Sequence, residues 1–263
     1  MAEPDRASTR AASAPDAVSA PAALFGERLP LAVRYAELLA TVGVERGLIG
    51  PREAPRIWER HLLNCAVLGE LIPSGVYVVD VGSGAGLPGI VLAVARPDLR
   101  VSLVESLARR STFLAETIEE LALDRVDVVR GRAEECGDVL RPADVVTARA
   151  VAPLDRLAAW CLPLARPGGS MLAIKGSSAA AEIEEHRDAV RRAGGGEPAL
   201  VHCGGGWLPE PVTVVEVRRS SMDGAARTKR RGKADSRRRA DFSDDTRGGR
   251  RARRGDGGDH PRI

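Results

Sequence analysis

The segment VYVVDVGSGAGLPGIVLA, residues 76 to 93, sets glycines at 82, 84, 86 and 89 behind an aspartate at 80. Glycines this dense, where a strand turns into a helix, suit a site at which a bound nucleotide approaches the backbone, because bulky side chains would block it. Two frames overlap. From Gly84 the residues spell G-A-G-L-P-G, the turn that receives a dinucleotide pyrophosphate, while from Asp80 they spell D-V-G-S-G-A-G, the turn that receives S-adenosylmethionine (SAM). Glu105, about twenty positions on, suits either ligand, since both carry ribose hydroxyls that a carboxylate accepts. Asp80 separates them. A carboxylate ahead of the first glycine repels a pyrophosphate by a few kcal/mol at an effective dielectric of about 20, and attracts the ammonium of SAM's methionine part. In VVRGRAEE, Ala133 and Glu134 are placed where a short turn can bracket an adenine ring; the plainer reading of Glu134 is an acid at a helix start, and of Asp80 a helix cap or a surface turn.

The elements that must position these residues alternate. Strands are expected at 77–81, 101–104, 126–129, 144–147 and 171–174, with helices at about 88–95, 107–122, 154–165 and 178–193 between them. Near-continuous apolar strands joined by helices indicate a parallel, doubly wound α/β sheet covered on both faces. PALVHC and VTVVEV, separated by GGGWLPEP, read as a closing β-hairpin, which brings the sheet to seven strands. Ahead of the sheet, residues 24–72 read as a helical region. One helix carries Leu31, Tyr35, Leu38 and Leu39 on a single face, and a second runs from Pro51 to Pro73. The sheet and hairpin occupy 73–219. Residues 1–23, rich in Ala, Pro and Ser, and 220–263, rich in Gly, Arg and Asp, lack the periodicity a core needs and are expected to be disordered.

Charge is divided unevenly over the 263 residues. Residues 220–263 hold 14 Lys and Arg against 7 Asp, a net +7, which leaves the rest of a +3 chain at −4. A mildly acidic body thus carries a basic tail that can contact RNA phosphates. The four cysteines, at 65, 136, 161 and 203, form no C-x-x-C and have no histidine at ligand spacing, so neither a metal site nor a disulfide framework is expected. The N-terminus has no apolar signal core, and nowhere do 18 apolar residues run together, so the reading is a cytoplasmic protein with no membrane partner. A monomer is expected.

Five strings, WERHLLN, DVGSGAGLPGI, VESLARRSTFL, GRAEE and DVVTARAVAPL, occur in this order. Together they resemble the 16S ribosomal RNA guanine-N7 methyltransferases of the glucose-inhibited division protein B type, over roughly residues 25–218. The resemblance implies a class I, Rossmann-like SAM-dependent methyltransferase. It implies SAM contacts from Gly82, Leu87, Ala133, Glu134 and Arg149, with Asp80 and Glu105 in acidic roles and Gly84 and Gly86 completing the turn. It also implies 16S rRNA or the small ribosomal subunit as partner.

Methyl transfer from a sulfonium to guanine N7 forms an N–C bond with the N7 lone pair as the C–S bond breaks. N7 needs no deprotonation, so no general base is required, and none of the usual nucleophile–base arrangements stands out in the chain; rate would come from proximity and alignment. N7 becomes cationic, which calls for acceptors near the base. In A-form RNA the major groove is too deep and narrow for side chains to reach N7, so the target must lie in a loop or be turned outward. Candidate substrate contacts are Arg56 and Arg60, four apart on one helix face and equally readable as solvated partners of Glu53 and Glu59. His61 shares a stripe with Ile57, Cys65 and Leu68, which also suits a core histidine. Lys175 ends the fifth strand, as a phosphate contact or a solvated end. Arg149 ends the fourth, where the plain alternative is a salt bridge to Asp144 or Asp155. Trp160 and Cys161 read as helix packing. Two other functions fit parts of the sequence. An NAD-dependent oxidoreductase would want a Tyr-x-x-x-Lys pair, which neither Tyr35 nor Tyr77 has. A ribosome-assembly factor could keep the cofactor fold without catalysis.

Overall fold

A computed structural model of the chain describes residues 19–149 and 152–220. Residues 1–18 and 221–263, which the sequence assigns to disordered segments, lie outside the described residues. Seven strands form one sheet: β1 (Tyr77–Val81), β2 (Arg100–Glu105), β3 (Val126–Arg130), β4 (Ala143–Arg149), β5 (Ala165–Lys175), β6 (Ala199–Cys203) and β7 (Val212–Arg218). Their order is β3-β2-β1-β4-β5-β7-β6. The first five strands run parallel to their neighbours, whereas β7 is antiparallel to both β5 and β6. The expected closing hairpin is therefore present, with its second strand inserted between β5 and the edge.

Both faces of the sheet are covered, which explains why β1 is buried at every position. Val78, Val101, Leu103 and Val145 pack against the N-terminal helices, α4 (Gly89–Ala95) and α5 (Ala108–Glu120). Their neighbours Val79, Val81, Val104 and Val146 point the other way, toward α6 (Leu154–Cys161) and α7 (Ala179–Arg192). The alternation follows from the two-residue period of a strand. The chain leaves β1 for β2 and β3, then returns to β4 on the other side of β1. At such a reversal the helices diverge and leave a crevice at the carboxyl ends of the strands.

The N-terminal layer departs from the sequence reading in three respects. Helix α1 (Ala20–Phe25) starts inside the stretch 1–23 that reads as unstructured; Pro21 sits in its first turn, where a missing N–H costs little, and Phe25 is buried. In α2 (Leu29–Leu38) and the π-helical turn Leu39–Gly43, the buried face is Ala32, Tyr35, Ala36 and Leu39, while Leu31 and Leu38 are half-buried. The single helix expected from Pro51 to Pro73 is a chain of short turns. A 3₁₀ turn, Ala54–Arg56, leads to a π turn, Trp58–Leu62, then to α3 (Leu63–Ala66) and a second 3₁₀ turn, Val67–Leu71. Ile57, Cys65 and Leu68 of the expected stripe reach the core, and so does Leu62, five residues after Ile57, as the wider π turn allows.

One strand is longer than its apolar run. β5 begins at Ala165, six residues before the expected Met171, because Ala165 pairs with Ala143 ahead of a register shift that passes over residues 166–169 before pairing with β4 resumes at Ser170. Gly169 permits it: a Cβ there would stand 2.8 Å from the Asp144 carbonyl oxygen. Such an irregularity leaves no apolar pattern in the sequence.

Candidate cofactor and substrate site

Four of the nine expected cofactor residues meet in one cavity. Gly82 after β1, Glu105 at the end of β2, and Ala133 and Glu134 in a 3₁₀ turn after β3 line a space of about 270 Å³. Val81, Val104, Ser106 and Arg132 complete its walls on that side, and Arg156 and Trp160 of α6 border it from the other. The cavity lies at the carboxyl ends of β1, β2 and β3, where their order places the crevice.

The glycine turn and Glu105 are joined directly. Gly82, Gly84 and Gly86 take φ values of 70°, 58° and 96°, a region that side chains disfavour. The Gly84 N–H donates to Glu105 Oε2 at 3.0 Å, and the Leu107 N–H donates to Oε1 at 2.8 Å. Glu105 is 3% exposed, and Arg110 stands 3.8 Å from its Oε2. Each carboxylate oxygen keeps a second lone pair, so the same group can still accept from a ribose hydroxyl.

Asp80 follows the plainer of its two sequence readings. It is fully buried, and its two oxygens accept from the Gly89 N–H at 3.1 Å and the Thr147 hydroxyl at 3.0 Å. Gly89 opens α4, so the carboxylate holds the start of that helix, as the helix-cap alternative describes. A Cβ at Gly89 would lie 2.8 Å from Asp80 Oδ2, so the contact needs glycine. Burial pushes the Asp80 carboxyl up to about 6, against the pull of its hydrogen bonds and of Arg149. Both of its oxygens are thus engaged within the protein.

Arg149, at the end of β4, faces the N-terminal layer. Its Nη1 donates to Cys65 Sγ at 3.0 Å and its Nη2 to His61 Nδ1. Neither carboxylate named in the salt-bridge alternative takes it: Asp144 pairs with Arg166 at 2.6 Å, and Asp155 lies on α6. His61 Nδ1 accepts from Arg149, so the ring proton sits on Nε2, which lies 3.2 Å from Glu53 Oε2. Burial, and then the Arg149 charge, lower the His61 pKa below its ordinary value, so the ring is neutral at pH 7. Arg60 reaches the other Glu53 oxygen at 3.2 Å, with about half of its side chain exposed. Arg56 is exposed. The structure thus gathers Arg60, His61 and Arg149 around Glu53 and Cys65.

Leu87 and Gly86 stay outside the cavity lining. Leu87 is half-buried against the core on the α4 side. A Cβ on Gly86 would meet Ile90 at 2.4 Å and the Tyr35 hydroxyl at 2.8 Å. Lys175 is not a solvated strand end or a free phosphate contact. Its Nζ donates to the Ala152 carbonyl at 2.8 Å and pairs with Glu182 at 2.7 Å, with the side chain 8% exposed. Glu182 also accepts from the Leu154 N–H, so this pair anchors the start of α6.

Several residues of the site carried no sequence signal. Tyr35 is buried in the N-terminal layer and donates its hydroxyl to the Ala85 carbonyl at 2.6 Å, pinning the glycine turn from fifty residues away. Thr147 and Cys65 are equally plain in the sequence. Trp160, near the end of α6, reads in the sequence as ordinary helix packing.

The GidB family model, described as rRNA small subunit methyltransferase G, matches residues 28–207. The chain is 61% identical over 221 residues to the ribosomal RNA small subunit methyltransferase G of Salinispora tropica, covering 82% of this chain and 91% of that protein. It is 63% identical over 214 residues to the protein of the same name from Salinispora arenicola, with coverage of 79% and 88%. Among solved structures, the S-adenosylmethionine-dependent methyltransferase SibL in its apo form superimposes with a TM-score of 0.50 at 22% identity, over 76% of this chain and 70% of that one, a likeness of fold.

Proposed function

Since the chain belongs to the GidB family, rRNA small subunit methyltransferase G, we propose that it transfers a methyl group from SAM to N7 of a guanine in 16S ribosomal RNA. The observation that carries the cofactor reading is the convergence of three strand ends on one cavity, with Gly82, Glu105, Ala133 and Glu134 in its wall. When bound, SAM supplies an electrophilic methyl group and a neutral thioether leaving group. Glu105 would hold the ribose, the turn at Ala133–Glu134 the base, and the glycine turn the methionine part within the field of Asp80.

On the substrate side the chain's task is to hold and align. Arg149 is fixed by His61 and Cys65 and needs no proton transfer to act. Glu53 and the neutral His61 add little positive charge where a cationic N7-methylguanine forms. Nothing there must act as a base, in keeping with a nucleophile that already presents a lone pair. A ribosomal substrate places the protein's work in the cytoplasm, and no helix among the described residues is long and apolar enough to cross a membrane. Incubation with labelled SAM and either free 16S RNA or 30S particles, followed by mapping of the labelled base, tests the assignment. Label on N7 of a single guanine is expected; label elsewhere, or none with either substrate, would overturn it.

Cofactor affinity should depend on pH through Asp80. Its carboxyl is protonated below about 6 and charged above, so attraction for the ammonium is present at pH 7.5 and lost by pH 5. Calorimetric titration with SAM is expected to show affinity falling several-fold over that range with a midpoint near 6. Asp80→Asn should flatten the profile, and an unchanged midpoint in that variant would assign the titration to another group.

The basic tail is proposed to add affinity for RNA phosphates without adding base specificity. Ser220 is tied by its N–H to the Gly194 carbonyl, so the cut belongs after it. Truncation there should leave SAM binding and the methylated position unchanged. RNA binding measured at several salt concentrations should show a log–log slope shallower by several units, whereas an unchanged slope would mean that the tail has no RNA partner.

A further inference from the structure

Helix α6 is fastened to the sheet by Leu154, Leu157, Ala158 and Cys161, each no more than 1% exposed. Trp160 lies beside this stripe, half-buried, and its ring is one of the walls of the cavity bounded by Glu105, Ala133 and Glu134. Four residues earlier, one helical turn away, Arg156 sets its guanidinium carbon 4.8 Å from the centre of the indole and also borders the cavity. The stripe that holds α6 packs together with Ala133 and Cys136 on one face of the sheet, which brings Trp160 opposite the turn after β3.

We propose that Trp160, capped by Arg156, is the stacking platform for the adenine of the bound cofactor; this rests on the reading of the cavity as the SAM site. Trp160 is the aromatic side chain in its wall: Val81, Val104 and Ala133 are aliphatic, Glu105 and Glu134 supply acceptors, and Arg132 and Arg156 supply guanidinium groups. A purine placed between the turn and α6 meets the indole, which is large, apolar and polarisable. A guanidinium on the ring adds a second planar layer and limits the ring's motion, so the platform is formed before the ligand arrives. Stacking is tolerant of which base it meets, so the platform supplies affinity while the polar edge of the turn reads adenine. The packing role assigned to Trp160 and Cys161 from the sequence is present too: Cys161 is fully buried, and Trp160 packs against the same buried cluster.

The chain has three tryptophans, so a Trp58→Phe/Trp207→Phe variant leaves Trp160 as the sole indole emitter. S-adenosylhomocysteine and adenosine are expected to quench its fluorescence, and methionine to leave it unchanged. By calorimetry, Trp160→Ala should bind S-adenosylhomocysteine about ten- to fiftyfold more weakly, and Trp160→Phe within about threefold of wild type. Wild-type binding combined with unaltered affinity in Trp160→Ala, or with no quench by adenosine, would overturn the platform and leave the cofactor reading standing. Absence of any binding by the wild-type chain would overturn both. The quench needs no substitution at 160, so it decides the matter even if Trp160→Ala does not fold.

Discussion

Glu105→Ala is expected to bind SAM about a hundredfold more weakly than the wild-type chain. Loss of a charged acceptor for the ribose costs about 1.5–3 kcal/mol by itself. The structure adds a second cost, because the same carboxylate accepts the Gly84 and Leu107 N–H groups at 3.0 and 2.8 Å. Without it the glycine turn loses the link that sets its distance from β2, and two partly buried donors lose their partner. Those geometries also reverse the rank that chemistry alone assigns to Glu105→Gln. From the sequence, glutamine keeps one acceptor and is the milder change. In the fold, its amide NH₂ must face one of two N–H donors, so its affinity should fall close to that of the alanine variant. Calorimetric titration of both variants checks this, with thermal unfolding to show that each folds. A glutamine variant within about threefold of wild type would mean that Glu105 can serve the ribose without holding the turn.

Arg149→Lys is expected to lower the methylation rate by about two orders of magnitude while the fold persists. A lysine carries the charge but cannot bridge Cys65 Sγ and His61 Nδ1 as the planar guanidinium does. His61 would then be free to turn, and the Glu53–His61 arrangement would lose the partner that fixes its tautomer. Asp80 would also feel a displaced counter-charge, since Arg149 is among the groups that hold its carboxyl down. Arg149→Ala goes further and removes both the Cys65 and the His61 contacts, together with the smallest of the influences that lower the Asp80 carboxyl. Single-turnover methylation at saturating SAM separates this from a binding defect. A lysine variant at wild-type rate would reduce Arg149 to a source of charge.

The sequence by itself determined the frame and half of the cavity. Val76–Ile90 joins a five-residue apolar strand to a glycine turn and a helix, and Glu105 stands one strand later at the matching edge. Both follow from periodicity over a few residues, and so does the cover on both faces, because unbroken apolar strands cannot face water. Strand ends at similar heights then bring Gly82, Glu105, Ala133 and Glu134 together without further specification. The resemblance added Leu87, which no spacing singles out, and a cofactor role for Arg149, which its place at the end of the fourth strand marks only as a candidate contact.

What only the tertiary structure decided is how side chains far apart in sequence are paired. Arg149 meets Cys65 and His61 across 84 and 88 residues, and Tyr35 meets the glycine turn across 50. Each pairing depends on how the N-terminal layer lies on the α4 face, and that layer changes pitch three times between Ala54 and Leu71, so a single helical period finds Ile57, Cys65 and Leu68 but misses Leu62. Asp80 and Lys175 show the same limit. Composition and spacing mark a charged group at a strand end, but whether it greets a ligand or holds a helix start depends on which backbone N–H or ammonium packing delivers to it. Gly89 and Thr147 claim the first, Glu182 and the Ala152 carbonyl the second. Trp160 adds a further case: local pattern calls it packing, which it does, but the closed layers also set it at the border of the cavity. Periodicity is a property of neighbours in the chain and can be read there, while the partner of a buried charge or ring is set by the contact of surfaces that form only when the layers close.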